Sequence, residues 1–403
     1  MALLNALKGW SPAQKNVVIA SYLGWTLDAF DFFLLVFVLK DVTKEFGVEE
    51  SHVALAITLT LACRPLGAFI FGRLADRYGR RPILMLDVGL YSMLGFATAF
   101  APNLTGFLVI RALFGVAMGG EWGIGASLTM ESVRPESRGV VSGLLQSGYP
   151  TGYLLASVVY GLVYNTIGWR GMFMVGALPA LLVLYIRRHV PESPGWSPEK
   201  AREGKILTVL AKHWRTAIYA ILLMTAFNFF SHGTQDVYPS FFLRGQHGLS
   251  VHEVTTIAII YNIGAIVGGW TFGTWSQTLG RRRTIMVAAI LSLPVVYLWA
   301  YSETIVGLAC GAFLMQVCVQ GAWGVIPAHL NELSPADARA TFPGTVYQLG
   351  NFIASSNAVL QTTIAKNQGG NYAFALASVA VAAAVAIFVL TAVGREARDA
   401  KLS

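Results

Sequence analysis

The 403 residues are 55% hydrophobic and only 12% charged, with a formal net charge of +8. Length alone would permit two or three soluble domains, but that balance places the chain among membrane proteins and excludes an ordinary soluble enzyme. The three cysteines, Cys63, Cys310 and Cys318, all fall in apolar stretches without metal-ligand spacing, which leaves zinc and redox chemistry without support.

Apolar runs long enough for a tilted helix, about 20 residues each, number twelve. They cover Asn16 to Leu39, His52 to Arg73, Pro82 to Phe100, Thr105 to Met130, Val140 to Val163, Gly171 to Tyr185, Ala217 to Phe242, Thr255 to Trp275, Ile285 to Trp299, Ile305 to Ala328, Thr341 to Ile364 and Tyr372 to Val393. The first is too long for a signal-peptide core and has no small-residue cleavage site, so it reads as a retained span. The expected class is an all-α polytopic membrane protein with 12 transmembrane helices. With both termini in the cytoplasm, 22 of the 29 Lys and Arg residues fall in cytoplasmic segments, five in outer loops, and two, Arg64 and Arg111, inside spans. That is the positive-inside pattern, and it accounts for the basic balance without nucleic acid. A multi-pass plasma-membrane protein follows, placed in the inner membrane if the source is bacterial. The only long hydrophilic connection divides the chain into a six-helix bundle over 1–188, a cytoplasmic loop over 189–214, and a second six-helix bundle over 215–403.

The halves repeat. G-R-L-A-D-R-Y-G-R-R from Gly72 to Arg81 is echoed by G-T-W-S-Q-T-L-G-R-R from Gly273 to Arg282, an offset of 201 residues. The same offset aligns Gly120, Trp122 and Gly123 with Gly321, Trp323 and Gly324, Glu131 with Glu332, and Arg138 with Arg339. The doubled loop in a chain of twelve spans resembles the major facilitator superfamily, and the likeness covers nearly the whole sequence. In the first copy Gly72, Asp76, Arg77, Gly79, Arg80 and Arg81 suit a gate. Asp76, an acid among arginines at a cytoplasmic turn, can pair with neighbouring helix ends and hold one conformation closed, with Glu131 and Arg138 as candidate partners. Gln277 replaces the acid in the second copy, so that loop is expected to lack the charge clamp.

Charges within the spans are costly and mark candidate function. Asp28 and Asp31 lie one turn apart in the first span. Arg111, in the fourth, is followed by spaced glycines in a pattern that resembles the facilitator fourth helix. In proton-driven relatives such an arginine faces a first-helix aspartate, which implies Arg111 and Asp31 here, either as a mobile couple or as a permanent ion pair. Arg64, near the centre of the second span, suits an anionic carboxylate, since a guanidinium can grip it with two parallel hydrogen bonds; its alternative is neutralising Asp28 or Asp31. Glu121 sits deep in the fourth span between glycines, with proton coupling and packing equally open. Asp87 is expected to pair with the basic cytoplasmic loop.

In the seventh span Asn228, His232 and Asp236 follow one helical face, with Ser231 and Gln235 on the adjoining strip. Asp31 is the repeat counterpart of His232. Gln348 and Asn351 are one turn apart in the eleventh span. The run from Asn228 to Ser240, N-x-x-S-H-x-T-Q-D-x-x-x-S, resembles the seventh-helix signature of lactate/pyruvate:proton symporters within the sialate:proton symporter family, with Ser240 standing for a threonine; Gln348 and Asn351 resemble that group's eleventh-helix pair. The resemblance implies uptake of a small monocarboxylate with protons by alternating access, with no cofactor, no metal and a functional monomer. Substrate contacts would come from Arg64, Asn228, His232, Gln235, Gln348 and Asn351, and proton coupling from Asp28, Asp31, Arg111, Asp236 and Glu121. Import of an aromatic acid, a sialic acid or a sugar, and a substrate sensor that does not transport, are the alternatives.

Overall fold

The computed structural model describes residues 10–48, 50–197, 212–398 and 400. Regular structure among them is entirely helical and supplies twelve spans. In the first half the spans are Pro12–Phe46, Glu50–Tyr78, Arg80–Thr98, Leu104–Ser132, a fifth that begins as Arg138–Gln146 and continues from Gly148, and a sixth completed by Ala180–His189. The helix Gly148–Val175 breaks at Gly168, φ 61°, where the fifth span turns into the sixth. The second half comprises Trp214–Gln235 extended by the π-helical Tyr238–Gln246, then Val251–Leu279, Arg281–Tyr301, Ile305–Trp323 with Ile326–Leu333, Thr341–Ala354 with Asn357–Asn367, and Tyr372–Val393.

Nine of these helices are long and apolar enough to cross a bilayer unaided. The third, fifth and eleventh are the weaker ones. The third carries Arg80, Arg81 and Asp87, the fifth is interrupted at Ser147, and the eleventh is interrupted at Ser355 and Ser356. The first span runs past its sequence-based limits at both ends, because its Lys15 and Lys44 end turns remain helical beyond the apolar stretch.

The repeat is visible in the turns. Asn103 Oδ1 accepts the amide of Gly106 at 2.8 Å, and its counterpart Thr304 Oγ1 accepts the amide of Gly307 at 3.1 Å, so equivalent caps start the fourth and tenth spans. Gly79 and Gly280, again equivalent, have φ of 107° and 91°, a left-handed region that favours glycine at the sharp turn into the third and ninth spans.

The halves meet at the end that carries these basic turns. Ser142 Oγ accepts the amide of Ala328 at 3.1 Å and Trp270 Nε1 donates to Ser147 Oγ at 2.9 Å. Gly143 lies directly on the Gly269 and Gly273 backbone, and Gly123 on Gly344, so helices of opposite halves touch through main chain. Valine at 143 would overlap the Gly269 carbonyl. Spin labels at Glu136 and Thr278, exposed on either side of this seam, are therefore expected to move apart in Gly143→Val; an unchanged distance distribution would show that the seam does not need the glycine.

Candidate functional site

The first half holds its charge inside the bundle. Arg64 is 3% exposed, with Nη2 3.4 Å from Met118 Sδ and its guanidinium 5.3 Å from the Phe32 ring centre. Arg111 is fully buried and stacks 3.8 Å over Phe114, its nitrogens without a hydrogen-bond partner among the described residues. Asp28, Asp31 and Glu121 are likewise buried with both carboxyl oxygens unpartnered. Asp31 turns toward the third and sixth spans, where a Cβ at Gly176 would stand 3.0 Å from its Oδ1; Glu121 lies against Gly24 of the first span. Neither Arg111 with Asp31 nor Arg64 with Asp28 or Asp31 forms an ion pair among the described residues. The permanent-pair alternative is therefore absent from this conformation.

Asp87 departs from its expected place. Instead of meeting the basic loop it is 0% exposed and unpartnered, beside Gly120 of the fourth span. The loop's cations are committed elsewhere: Arg80 to Asp76 and Glu131, and Arg81 to the Arg187 carbonyl and, through its amide, to Glu192.

The seventh-span stripe divides in two. On one side His232 Nδ1 is 3.0 Å from Asp236 Oδ1 and Nε2 is 2.9 Å from Asn351 Oδ1, and Asn351 Nδ2 donates to Gln348 Oε1 at 3.3 Å. Both ring nitrogens face oxygens, which an imidazolium satisfies with two donated hydrogen bonds. These side chains keep access to solvent, His232 at 23% and Asp236 at 34%. On the other side Gln235 Nε2 donates to Gln316 Oε1 at 2.7 Å and Ser231 faces Gln320, so this strip packs against the tenth span. Asn228 donates to the Met224 carbonyl of its own helix at 2.8 Å. The side chain of Ser240 lies outside the described residues. Asp31 and His232 are mates in sequence, yet one faces its own bundle's interior and the other faces Asn351.

Aromatic rings gather between the halves, a feature that sequence reasoning missed. Trp25 and Trp122 of the first half pack into the second half's apolar core. Trp25 stacks on Tyr149 at 5.4 Å, and Trp122 stands 4.7 Å from Tyr347. The available signal was the repeated tryptophan pair: Trp122 Nε1 donates to Gln146 Oε1 at 3.4 Å, while Trp323 meets Tyr347, the repeat counterpart of Gln146, at 5.5 Å.

At the basic turn Asp76 caps the eleventh span. Its carboxylate accepts the amides of Ala340 and Thr341, each at 3.0 Å, and the Thr341 hydroxyl, across the seam between halves. It also pairs with Arg80 at 3.2 Å, which in turn pairs with Glu131 at 3.2 Å. Of the two candidate partners, Glu131 thus joins through Arg80. Arg138 does not reach Asp76, because its guanidinium is taken by the Met130 and Ala400 carbonyls. Gly72 lies against Thr341, and Arg77 stacks over Tyr78. In the second copy Gln277 Oε1 accepts the amide of Gly139 at 3.0 Å, the repeat image of the Ala340 contact, and Arg281 pairs with Glu332 at 2.9 Å. The second loop thus keeps the arginine–glutamate pair, and a neutral amide makes the contact across the seam. Sequence reasoning also missed Glu192, which accepts the Arg80 amide at 2.9 Å, and Trp196, whose indole donates to the Asp76 carbonyl at 3.0 Å.

Residues 21–235 and 221–403 match the family described as Major Facilitator Superfamily. The chain is 26% identical over 385 residues to the sialic acid transporter NanX of Escherichia coli (strain K12), covering 94% of each. It is 30% identical over 364 residues to the probable 4-methylmuconolactone transporter of Cupriavidus pinatubonensis, covering 87% of this chain and 84% of that one. The solved structure of the proton:xylose symporter XylE superposes with a TM-score of 0.75 at 18% identity, covering 96% of this chain and 98% of that one. The chain belongs to the Major Facilitator Superfamily.

Losing a helix N-cap costs about 0.5–2 kcal/mol, roughly 2- to 30-fold in population. Asp76→Ala is expected to raise by that order the rate at which a thiol reagent labels a cysteine placed at buried Ser142. An unchanged rate would remove the cap from the closing contacts.

Proposed function

We propose that this Major Facilitator Superfamily member imports a small monocarboxylate, lactate or pyruvate foremost, together with protons by alternating access. The observation that carries the reading is Arg64: a buried guanidinium without a carboxylate partner among the described residues, able to receive one from a substrate. His232, Gln348 and Asn351 bind the remaining oxygens. Asn228 and Gln235 join them once released from the Met224 carbonyl and from Gln316.

The positive-inside asymmetry makes the basic-turn end cytoplasmic. The sealed seam is then the cytoplasmic gate, formed by the Gly72–Arg81 turn with Glu131 and, through its backbone contacts, Arg138. The conformation described is the one that loads from outside. A proton taken by Asp31, Asp236 or His232 changes the field around Arg64 and Arg111 and accompanies the acid, with Asp28 and Glu121 close by. Residues 1–188 and 215–403 then rock about the site as two units joined by 189–214. The protein works as a monomer in the plasma membrane, which is the inner membrane in bacteria.

A ring-bearing organic acid is the second reading. The aromatic side chains between the halves, Trp25, Tyr149 and Tyr347, favour it, and two relatives named for sialic acid and 4-methylmuconolactone agree.

Reconstituted protein is expected to accumulate labelled lactate only under an inward proton gradient; saturable binding without accumulation would overturn symport. Competition by ring acids but not by short acids would select the second reading. Arg64→Lys gives up the two-point grip and is expected to weaken substrate affinity roughly 10-fold or more. Unchanged affinity in a binding assay would take Arg64 out of the site.

A further inference from the structure

Aromatic side chains of the first and fifth spans form a continuous column that rises from the seam. Between ring centres, Tyr149 stands 5.5 Å from Phe33, Phe33 4.3 Å from Tyr153, Tyr153 6.0 Å from Phe37, Phe37 4.9 Å from Tyr160, and Tyr160 4.6 Å from Tyr164. All of these rings are half-buried rather than enclosed. Residue numbers increase away from the basic turns along both spans, so the column climbs from Tyr149, two positions beyond the Ser147 contact with Trp270, toward the opposite end.

The fold does not need these rings. Small residues already join the first and fifth spans: Gly148 lies against the Tyr22 carbonyl and Gly152 against that of Thr26, and Ala156 continues the same strip fully buried. The tyrosines at 149, 153, 160 and 164 occupy the adjoining strip of the helix. Across the 201-residue repeat, the counterparts of Tyr149, Phe33, Tyr153, Tyr160 and Tyr164 are Gly350, Thr234, Ala354, Gln361 and Ala365. Only Phe37 has an aromatic mate, Tyr238, and that ring is 0% exposed and stacked on Trp299 within its own bundle. The second half therefore folds without such a column.

The lower end of the column reaches a cation. Phe33 meets Phe32 edge-on at 5.3 Å, and the Arg64 guanidinium stands 5.3 Å from the Phe32 ring centre. Tyr149 packs against the second half's apolar core, so the column begins where the two halves divide. Half-exposed rings offer edges and faces to a planar guest, the geometry in which aromatic pairs attract. Ring contacts hold a planar apolar body and a guanidinium holds an acid group; side by side they fit a molecule that has both.

We infer that Phe33, Tyr153 and Phe37 form a binding site for the planar ring of an organic acid whose carboxylate is taken by Arg64, with Tyr160 and Tyr164 extending the site away from the seam. The inference rests on the second reading above, a ring-bearing organic acid, and adds to it the residues that select the ring.

Benzoate and cyclohexanecarboxylate test it, since they share charge and approximate size but only benzoate is planar and aromatic. Purified full-length wild-type protein is expected to bind labelled benzoate about 5-fold more tightly than cyclohexanecarboxylate, or better. Tyr153→Leu, which keeps an apolar side chain, should weaken benzoate binding about 5-fold and cyclohexanecarboxylate binding less than about 2-fold, whereas Tyr153→Phe should leave both within about 2-fold. Equal weakening of the two acids in Tyr153→Leu would mark a structural role and overturn the inference. So would a wild type without preference for benzoate, an unchanged preference in Tyr153→Leu, or loss of the preference in Tyr153→Phe. Wild-type protein that binds neither acid would overturn the ring-acid reading itself, before any variant is compared.

Discussion

Charge inside a bilayer-spanning bundle is the constraint on which the rest of this structure depends. Water is excluded, so each ionised group must find a partner in the protein or be compensated by a mobile charge. The second half meets this demand conventionally: His232, Asp236, Asn351, Gln348, Gln235 and Gln316 are joined by short polar contacts, and Arg281 is paired with Glu332. The first half does so at its basic turn, where Arg80 pairs with Asp76 and Glu131, but not in mid-span. There Arg64 and Arg111 rest on aromatic faces and a thioether instead of carboxylates. Such contacts are weak beside an ion pair, which leaves these cations available to an incoming anion.

A chain built from two copies could have made two equivalent charged cavities, but the repeat has diverged by role. Ala265 and Ala312 stand where the first half has Arg64 and Arg111, and His232 stands where it has Asp31. Equivalence survives where it serves the fold: the Gly79 and Gly280 turns, the Asn103 and Thr304 caps, and the two carboxamide or carboxylate contacts across the seam. Backbone geometry and the basic-turn arginine–glutamate pair were preserved, and the mid-span ionisable groups were not. One half therefore concentrates charge while the other concentrates neutral hydrogen bonding.

The span number, the repeat offset and the acid at the basic turn were all legible because hydropathy and local spacing encode them. The direction of a buried side chain is not encoded in this way. Asp87 lies only a few residues beyond Arg80, so linear proximity suggested a partner in the loop; the helical turn instead aims it at Gly120. Arg138 aligns with Arg339 and sits near Glu131, yet backbone carbonyls claim it. The seventh-span stripe was legible as polar, but its division between Asn351 and Gln316 depends on which neighbours flank the helix, information that one sequence does not carry. Breaks at Ser147 and at Ser355–Ser356 escaped hydropathy because serine is only mildly polar.

The seam and the charged interior constrain each other through the second and fourth spans. Arg64 and the Asp76 turn share the helix Glu50–Tyr78, while Arg111, Glu121 and Glu131 share Leu104–Ser132. Gly115 and Gly119 of the fourth span press on the backbone of Thr60 and Arg64, which ties the two helices together without long side chains between them. A change in the field around Arg64 is thus borne by the same rigid pair that carries the Asp76 cap to Thr341. At the seam itself the contacts are a helix cap, neutral hydrogen bonds and glycine-to-glycine packing, each individually modest. Losing a cap costs about 0.5–2 kcal/mol and a neutral hydrogen bond contributes about 1 kcal/mol. Under the proposed mechanism, closure built from several such increments can be reversed by one charge-compensation event in the interior, whereas a seam of buried ion pairs could not.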